Sequence, residues 1–288
     1  MTPGEATLPV GVDVVELRQI AVDVALEAAA LIVEQRPDDL GVAETKSSRT
    51  DVVTVMDQAS QDLLSRRLAE LRPDDAFAGE ERGGRSGTTG ITWVVDPIDG
   101  TVNYLYGLAA YAVSVAAVVG DPARPGAWRP VAGAVVNPVS GEVFAAASGQ
   151  GATLVEGGVE RALAVAGAES LGLALCATGF GYDARRRAWQ GAVLAELLPQ
   201  VRDVRRLGSA ALDLCRVADG TVDAYYERGL NPWDLAAGWL VATEAGARVT
   251  DLDGGGPTGV MLVAGAPVVH GALCAALAAA VEAVGEED

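Results

Sequence analysis

Trp93-Val94-Val95-Asp96-Pro97-Ile98-Asp99-Gly100-Thr101 is the stretch whose reading decides the rest of the chain. An apolar run with strand character leads directly into two carboxylates three positions apart, and a proline and a glycine shape the turn around them. Hard divalent cations take several oxygen ligands, and two Asp side chains at this spacing on a turn can converge on one ion, with backbone carbonyls pointing inward as well. Magnesium suits such a set. Gly100 lets the backbone approach a ligand closely, and a helix starting at Thr101 has free N–H groups that attract an anion. From these residues alone a second reading stays open, in which Asp96 and Asp99 only shape a tight turn.

Working outward, Gly79-Glu80-Glu81 follows another short strand, Ala76 to Ala78, and Asp234 stands at the expected start of a helix after Asn231-Pro232-Trp233. Asp234 by itself reads most simply as an N-cap. The combination with Glu80, Asp96 and Asp99 is what points to a metal site. Upstream, apolar spacing predicts a long amphipathic helix over Val12 to Arg36, and a second over about 17 residues from Thr54, with Thr54 and Asp57 as a capping box and Pro73 as its stop. Further strands are expected at Thr92 to Val95, Ala112 to Val119, Val131 to Val136 and Glu142 to Ala147. The second half alternates short strands near Leu173 to Leu175, Ala224 to Tyr226 and Val260 to Val263 with helices over Ala184 to Leu198, Ala210 to Ala218, Asp234 to Ala245 and Ala272 to Val284. An α+β half followed by an α/β half predicts two packed units, 1–160 and 161–288.

Composition narrows the function classes. The 288 residues are half apolar and carry a net charge of −18, which argues against nucleic acid as a main partner, because that binding depends on Lys and Arg neutralising phosphates. The basic clusters Arg185 to Arg187 and Arg202 to Arg206 read as solvated faces in or beside helices. Three cysteines, Cys176, Cys215 and Cys274, sit in Ala- and Leu-rich sequence without disulfide or zinc spacing. The single histidine, His270, lies outside any polar cluster and reads as structural or surface, which argues against histidine-dependent phosphatases and Ser-His-Asp hydrolases. The run Leu108 to Val119 is too short to cross a membrane, and no basic and apolar leader opens the chain, so no membrane association and a cytoplasmic location are expected.

These motifs taken together resemble the inositol monophosphatase family. The resemblance rests on Glu80 and Glu81 after Gly79, the segment 96–101, Trp233-Asp234 followed by Ala-Ala-Gly and Thr-Glu-Ala-Gly, and Lys46 with the 51–57 segment; Leu207-Gly-Ser-Ala-Ala and Asp223-Ala-Tyr-Tyr-Glu227 extend it over nearly the whole chain. It implies a layered α-β-α-β-α sandwich, a homodimer, inhibition by lithium, and hydrolysis of a small phosphate monoester by water with up to three Mg2+ ions. Glu80, Asp96 and the Ile98 carbonyl are then expected to hold the first ion, Asp96, Asp99 and Asp234 the second, and Glu80 a third. Glu80, Asp99 and Thr101 are the implied catalytic residues. Gly100 and Thr101 are expected to bind the phosphate, Ala210, Glu227 and Asp234 to meet the substrate, and Lys46, Asp51, Asp57 and Glu81 to support this set from behind.

The chemistry agrees with that implication. A phosphate monoester is a dianion, Lys46 is the one cation evident near the carboxylates, and divalent ions are needed to reverse the local field. No Cys-x5-Arg loop offers a nucleophile, and Pro97 stands where a haloacid-dehalogenase nucleophile would have to be Asp. Val102, Met56 and Asn231-Pro232 depart from the family pattern without touching an expected ligand, which leaves the alcohol less determined than the reaction. Glu227 suits a polyol, so myo-inositol 1-phosphate is the leading substrate. Histidinol phosphate, fructose 1,6-bisphosphate and a 3′-phosphoadenosine nucleotide are the alternatives, the nucleotide the least favoured of them because no extra domain or basic pocket for a second phosphate is evident. A regulatory binding protein with residual phosphatase activity is the alternative of another class.

Overall fold

Asp13 starts the first helix, α1 (Val14–Glu34), by accepting the N–H groups of Val15 and Glu16, which satisfies donors that a helix start leaves unpaired. Thr54 and Asp57 form the expected capping box at the start of α2 (Val55–Leu71), where the Thr54 N–H donates to Asp57 Oδ2 at 2.8 Å. The computed structural model describes residues 7–46, 52–81, 83–285 and 287. Short strands β1 (Glu44–Thr45) and β2 (Val52–Val53) pair between these helices.

The chain continues with β3 (Ala76–Gly79), β4 (Gly84–Arg85), β5 (Ile91–Asp99), α3 (Thr101–Tyr106), β6 (Ala112–Gly120), β7 (Trp128–Asn137), β8 (Glu142–Ala147), β9 (Ala152–Glu156) and β10 (Val159–Ala162). These strands make an eight-stranded sheet in the order β10-β9-β8-β7-β6-β5-β3-β4. After it come β11 (Leu175–Thr178), α4 (Ala184–Leu197), β12 (Asp203–Arg205), α5 (Ala210–Asp219), β13 (Ala224–Glu227), α6 (Pro232–Glu244), β14 (Arg248–Asp251), β15 (Leu262–Gly265) and α7 (Pro267–Val284). The second sheet has five strands in the order β12-β11-β13-β15-β14.

Alternation along the strands gives the layers. On β6, Val113, Val115, Ala117 and Val119 join the core with α1 and α2, whereas Ala112, Ala116 and Val118 face the core with α5 and α6. On β13, Tyr225 enters that same middle core, while Ala224 and Tyr226 face a third core with α4 and α7. The order is therefore α-β-α-β-α, with α5 and α6 between the sheets, as the sequence led us to expect. Because β6 is covered on both faces, it is apolar from Ala112 to Val119 apart from the buried Ser114.

Several expectations need correction. The hairpin of β9 and β10 was not anticipated, since β10 is exposed along its length; its signal was Gly157-Gly158, both at positive φ, as a two-residue hairpin turn needs. The polar edge strands β12 and β14 carry too little apolar pattern to be read alone. The strand expected from Leu173 begins at Leu175, after a 3-10 turn at Leu171–Leu173, because Asp223 accepts the N–H groups of Ala168 and Leu175. The most apolar long stretch is not 108–119 but α7, which is long and apolar enough by composition to cross a membrane. Its residues Val269, Leu273, Ala276, Leu277 and Ala280 are buried in the third core.

The middle layer depends on small residues. A Cβ on Gly133 of β7 would lie 3.3 Å from Ala237 of α6, and one on Gly238 would lie 2.8 Å from Leu214 Cβ and 3.0 Å from Ala211 O of α5. Ala236-Ala237-Gly238 thus lets α6 sit tightly between the sheet and α5. In a helix with free space, replacing Gly by Ala gains up to about 1 kcal/mol. For Gly238→Ala we expect the opposite sign, a loss of about 1–3 kcal/mol from overpacking, read as a lower urea midpoint.

Candidate active site

Parallel pairing of β3 with β5 sets Gly79 opposite Val95, and the Glu80 N–H donates to Val95 O at 3.2 Å. Glu80 and Asp96 thereby leave neighbouring strand ends side by side. Beyond Asp96 the ladder between β5 and β6 is interrupted by a bulge, and the Ile98 N–H turns back to Asp96 Oδ1 at 3.0 Å. Bulges re-aim side chains, and this one turns both Asp96 and Asp99 toward the same end of the sheet. Gly100 adopts φ +96°, and a Cβ there would sit 3.0 Å from both Ala110 O and Gly208 O. Only glycine fits this junction.

The second half supplies the other wall. Ser209 caps α5 and donates through Oγ to Asp99 Oδ2 at 2.6 Å, and the Ala211 N–H reaches the same oxygen at 2.7 Å. Asn103 Nδ2 bridges Ala110 O and Leu207 O at 2.6 and 2.8 Å. Asp234 sits in the first turn of α6, where its Oδ2 accepts the Asn231 N–H at 2.6 Å. Lys46, Glu80, Asp96, Ile98, Asp99, Gly100, Thr101, Ala210, Glu227 and Asp234 all line one cavity of about 410 Å3.

Charge in this cavity is crowded. Burial first, then Glu80, Asp99 and Asp234, push the Asp96 carboxyl far above the usual range, and burial with Glu80 and Asp99 does the same to Asp234. Burial pushes Asp99 up to about 6, against the Ser209 and Ala211 hydrogen bonds. Burial also pushes Asp57 up to about 6 and Glu227 up to about 7. Burial alone would lower the Lys46 ammonium, but Glu80 and Glu81, each 2.6 Å from Nζ, hold it above its ordinary value.

Among the described residues, no His, Cys, Asp and Glu groups are gathered in threes closely enough to grip an ion as they stand. The reason is visible in the partners: Asp99 turns to Ser209, Asp234 to Asn231 and Glu80 to Lys46. The bonds of Asp99 and Asp234 engage one carboxylate oxygen of each. An all-oxygen set of four acids that repel one another in a shared cavity is the donor chemistry of a hard divalent cation, and it fits one.

Asp57 does more than cap α2. Its Oδ2 takes the Thr54 N–H and hydroxyl, and its Oδ1 accepts the Thr101 hydroxyl at 3.1 Å, in competition with Ile98 O at the same distance. Glu81 pairs with Lys46, and its N–H donates to Gln61 Oε1 at 2.7 Å. Asp51 lies outside the described residues.

Other participants went unread in the sequence. The Tyr225 hydroxyl donates to Glu227 Oε2 at 2.6 Å, an i, i+2 pair on one face of β13 that strand alternation could have revealed. Gly179 leaves room for this carboxylate, since a Cβ there would lie 1.8 Å from Glu227 Oε2 and push it from its place. Lys46 is not the only cation, since Arg186, Arg206 and Arg228 also line the cavity. Of the cluster 185–187, only Arg185 and Arg187 lie on the exposed face, and the cluster 202–206 belongs to a strand and loop instead of a helix. His270 is buried with Nε2 3.0 Å from Thr250 Oγ1, far along the chain from these groups in a structural setting.

Comparison with known proteins adds independent findings. A family model described as the inositol monophosphatase family matches residues 13–286. The inositol-1-monophosphatase SuhB of Mycobacterium tuberculosis is 47% identical over 276 residues, which cover 91% of this chain and 93% of that protein. A protein of Pasteurella multocida named Nus factor SuhB is 38% identical over 254 residues, 86% of this chain and 90% of that one. The solved structure of Mycobacterium tuberculosis SuhB matches with a TM-score of 0.77 at 43% identity, covering 96% of this chain and 99% of that chain.

The raised carboxyl values set the pH response of the metal-free protein. Asp57 and Asp99 at about 6 and Glu227 at about 7 hold protons that the unfolded chain, with carboxyls near about 4, has already released. Stability is then highest below that window and falls as pH rises through it. Urea unfolding of metal-free protein should show a lower midpoint at about pH 8 than at about pH 5, and added divalent cation should recover the difference at the higher pH.

Proposed function

This chain belongs to the inositol monophosphatase family and is a phosphoric monoester hydrolase; on that premise we propose that it cleaves myo-inositol 1-phosphate to inositol and phosphate with magnesium and a directly attacking water. The observation that carries the reading is one cavity lined by Glu80, Asp96, Asp99 and Asp234 together with Glu227 and Ala210. In it, Glu80, Asp96 and the Ile98 carbonyl would hold a first ion, Asp96, Asp99 and Asp234 a second, and Glu80 would help to place a third. When bound, such ions offset the carboxylate charge, make coordinated water more acidic and stabilise the entering and leaving oxygens.

The protein groups have separate tasks. When the Thr101 hydroxyl donates to Asp57 Oδ1, one of its two equidistant acceptors, its lone pairs are free to accept the proton of the attacking water. Asp57 receives the relayed proton through that hydrogen bond. Glu80, steadied by Lys46, orients the water, and the Gly100 and Thr101 N–H groups bind phosphate oxygens. Glu227, fixed by Tyr225, accepts hydroxyls of the polyol beside Ala210, with Asp234 close to the scissile oxygen. The same reading divides the chain into units 1–160 and 161–288 that meet at the cavity. A homodimer and a cytoplasmic location belong to it as well.

A second reading is favoured by the Nus factor name that some relatives carry: a regulatory binding protein in which hydrolysis is residual. The net charge of −18 speaks against direct nucleic-acid contact in that role.

Phosphate release with magnesium, measured on inositol 1-phosphate, histidinol phosphate and fructose 1,6-bisphosphate, should give the highest kcat/KM for the inositol ester. No turnover of any of them would favour the regulatory reading. Asp96→Asn and Asp234→Asn should each lower kcat by orders of magnitude with unchanged circular dichroism, and retained activity in either would remove the ligand assignment. Lithium should inhibit, and full activity at high lithium would count against the third ion site.

A further inference from the structure

The mouth of the cavity carries an arrangement that the hydrolysis of a monophosphate does not use. Glu287, just past α7, bridges two arginines: Arg186 Nε donates to its Oε1 at 2.8 Å and Arg228 Nε to its Oε2 at 2.5 Å. Both arginines line the cavity, and the Glu287 side chain is only 15% exposed. Trp189 fixes the assembly, since its Nε1 donates to Gly285 O at 2.7 Å and its ring lies 4.7 Å below the Arg228 guanidinium. Although burial works against it, the hydrogen bonds of Arg186 and Arg228 keep the Glu287 carboxyl below its ordinary value.

The backbone makes room for these guanidiniums. A Cβ on Gly229, which has φ +86°, would lie 2.3 Å from Arg186 Nη1, and one on Gly181 would lie 2.9 Å from Arg186 Cδ. Arg186 therefore threads a slot between two glycines to reach the cavity. Arg206 differs, because its charge faces Glu227 and Asp213. Arg186 and Arg228 share an anion that belongs to neither of their own elements. Two guanidiniums that each donate an Nε–H to one carboxylate present convergent charged donors, an arrangement that also suits a phosphate dianion.

We propose that Arg186 and Arg228 form a second phosphate subsite at the cavity mouth, which Glu287 occupies as a built-in competitor until a bisphosphorylated substrate displaces it. The subsite rests on the proposed hydrolysis for its role in turnover but not for its ability to bind an anion. It also revises the expectation that no basic pocket for a second phosphate exists. The carboxylate floor selects the scissile phosphate through its ions, whereas the arginine pair selects a second phosphate without them.

Binding and turnover test this separately. Inorganic phosphate titrated calorimetrically into metal-free protein meets a floor that repels it, so binding reports the arginine pair. Glu287→Gln should tighten it about three- to tenfold by removing the competing state, and Arg186→Gln should weaken it. With magnesium, Glu287→Gln should lower KM for fructose 1,6-bisphosphate by a similar factor and leave KM for inositol 1-phosphate within about twofold. Arg186→Gln should raise KM for the bisphosphate more than for the monophosphate. Unchanged phosphate binding in Glu287→Gln, or equal KM changes for both esters, overturns the subsite. Correct binding shifts without turnover of any ester would instead overturn the proposed hydrolysis and leave the subsite standing.

Discussion

Four carboxylates share a cavity at the junction of two sheets, and their mutual repulsion is the constraint on which the rest of the structure depends. Burying like charges together is costly unless protons or cations neutralise them. The fold meets this cost with many small restraints: Lys46 on Glu80, Ser209 and the Ala211 N–H on Asp99, the Asn231 N–H on Asp234. Each restraint fixes a carboxylate without neutralising the set. A protein that folded for stability alone would have little reason to keep such a group together, and affinity for a hard cation supplies one.

Holding acids from distant parts of the chain in register requires a rigid middle layer. Helices α5 and α6 provide it, wedged between the two sheets, and their close approach is set by Ala236, Ala237, Gly238 and Gly133. Asp99 belongs to a strand of the first sheet, yet its hydrogen-bond donors come from the start of α5, so one acid ties the two halves together. Stability and site geometry are therefore decided by the same contacts.

Electrostatically the cavity has two poles. Its acidic pole is Glu80, Asp96, Asp99 and Asp234; its basic pole is Arg186 and Arg228, bridged by Glu287. A dianion drawn toward the mouth meets positive charge first, which favours encounter in a chain whose overall charge of −18 would otherwise repel it.

The sequence alone determined the local features whose cause is local. Residues 93–101 announce a strand ending in paired acids, Thr54 and Asp57 announce a helix start, and the apolar run 112–119 announces a further strand. Family resemblance gathers Glu80, Asp96, Asp99 and Asp234 into one set, and the four line one cavity. What the sequence left open involves partners far apart in the chain. Arg186 looks like any solvated arginine in a first helical turn, because Gly181, Gly229 and Glu287, which give it a slot and a partner, are brought to it only by folding. Asp57 reads as a cap, and only the tertiary structure adds the Thr101 hydroxyl 44 positions away. Short-range periodicity and capping are written in neighbouring residues, whereas the direction of a charged side chain is set by whichever distant groups packing delivers to it.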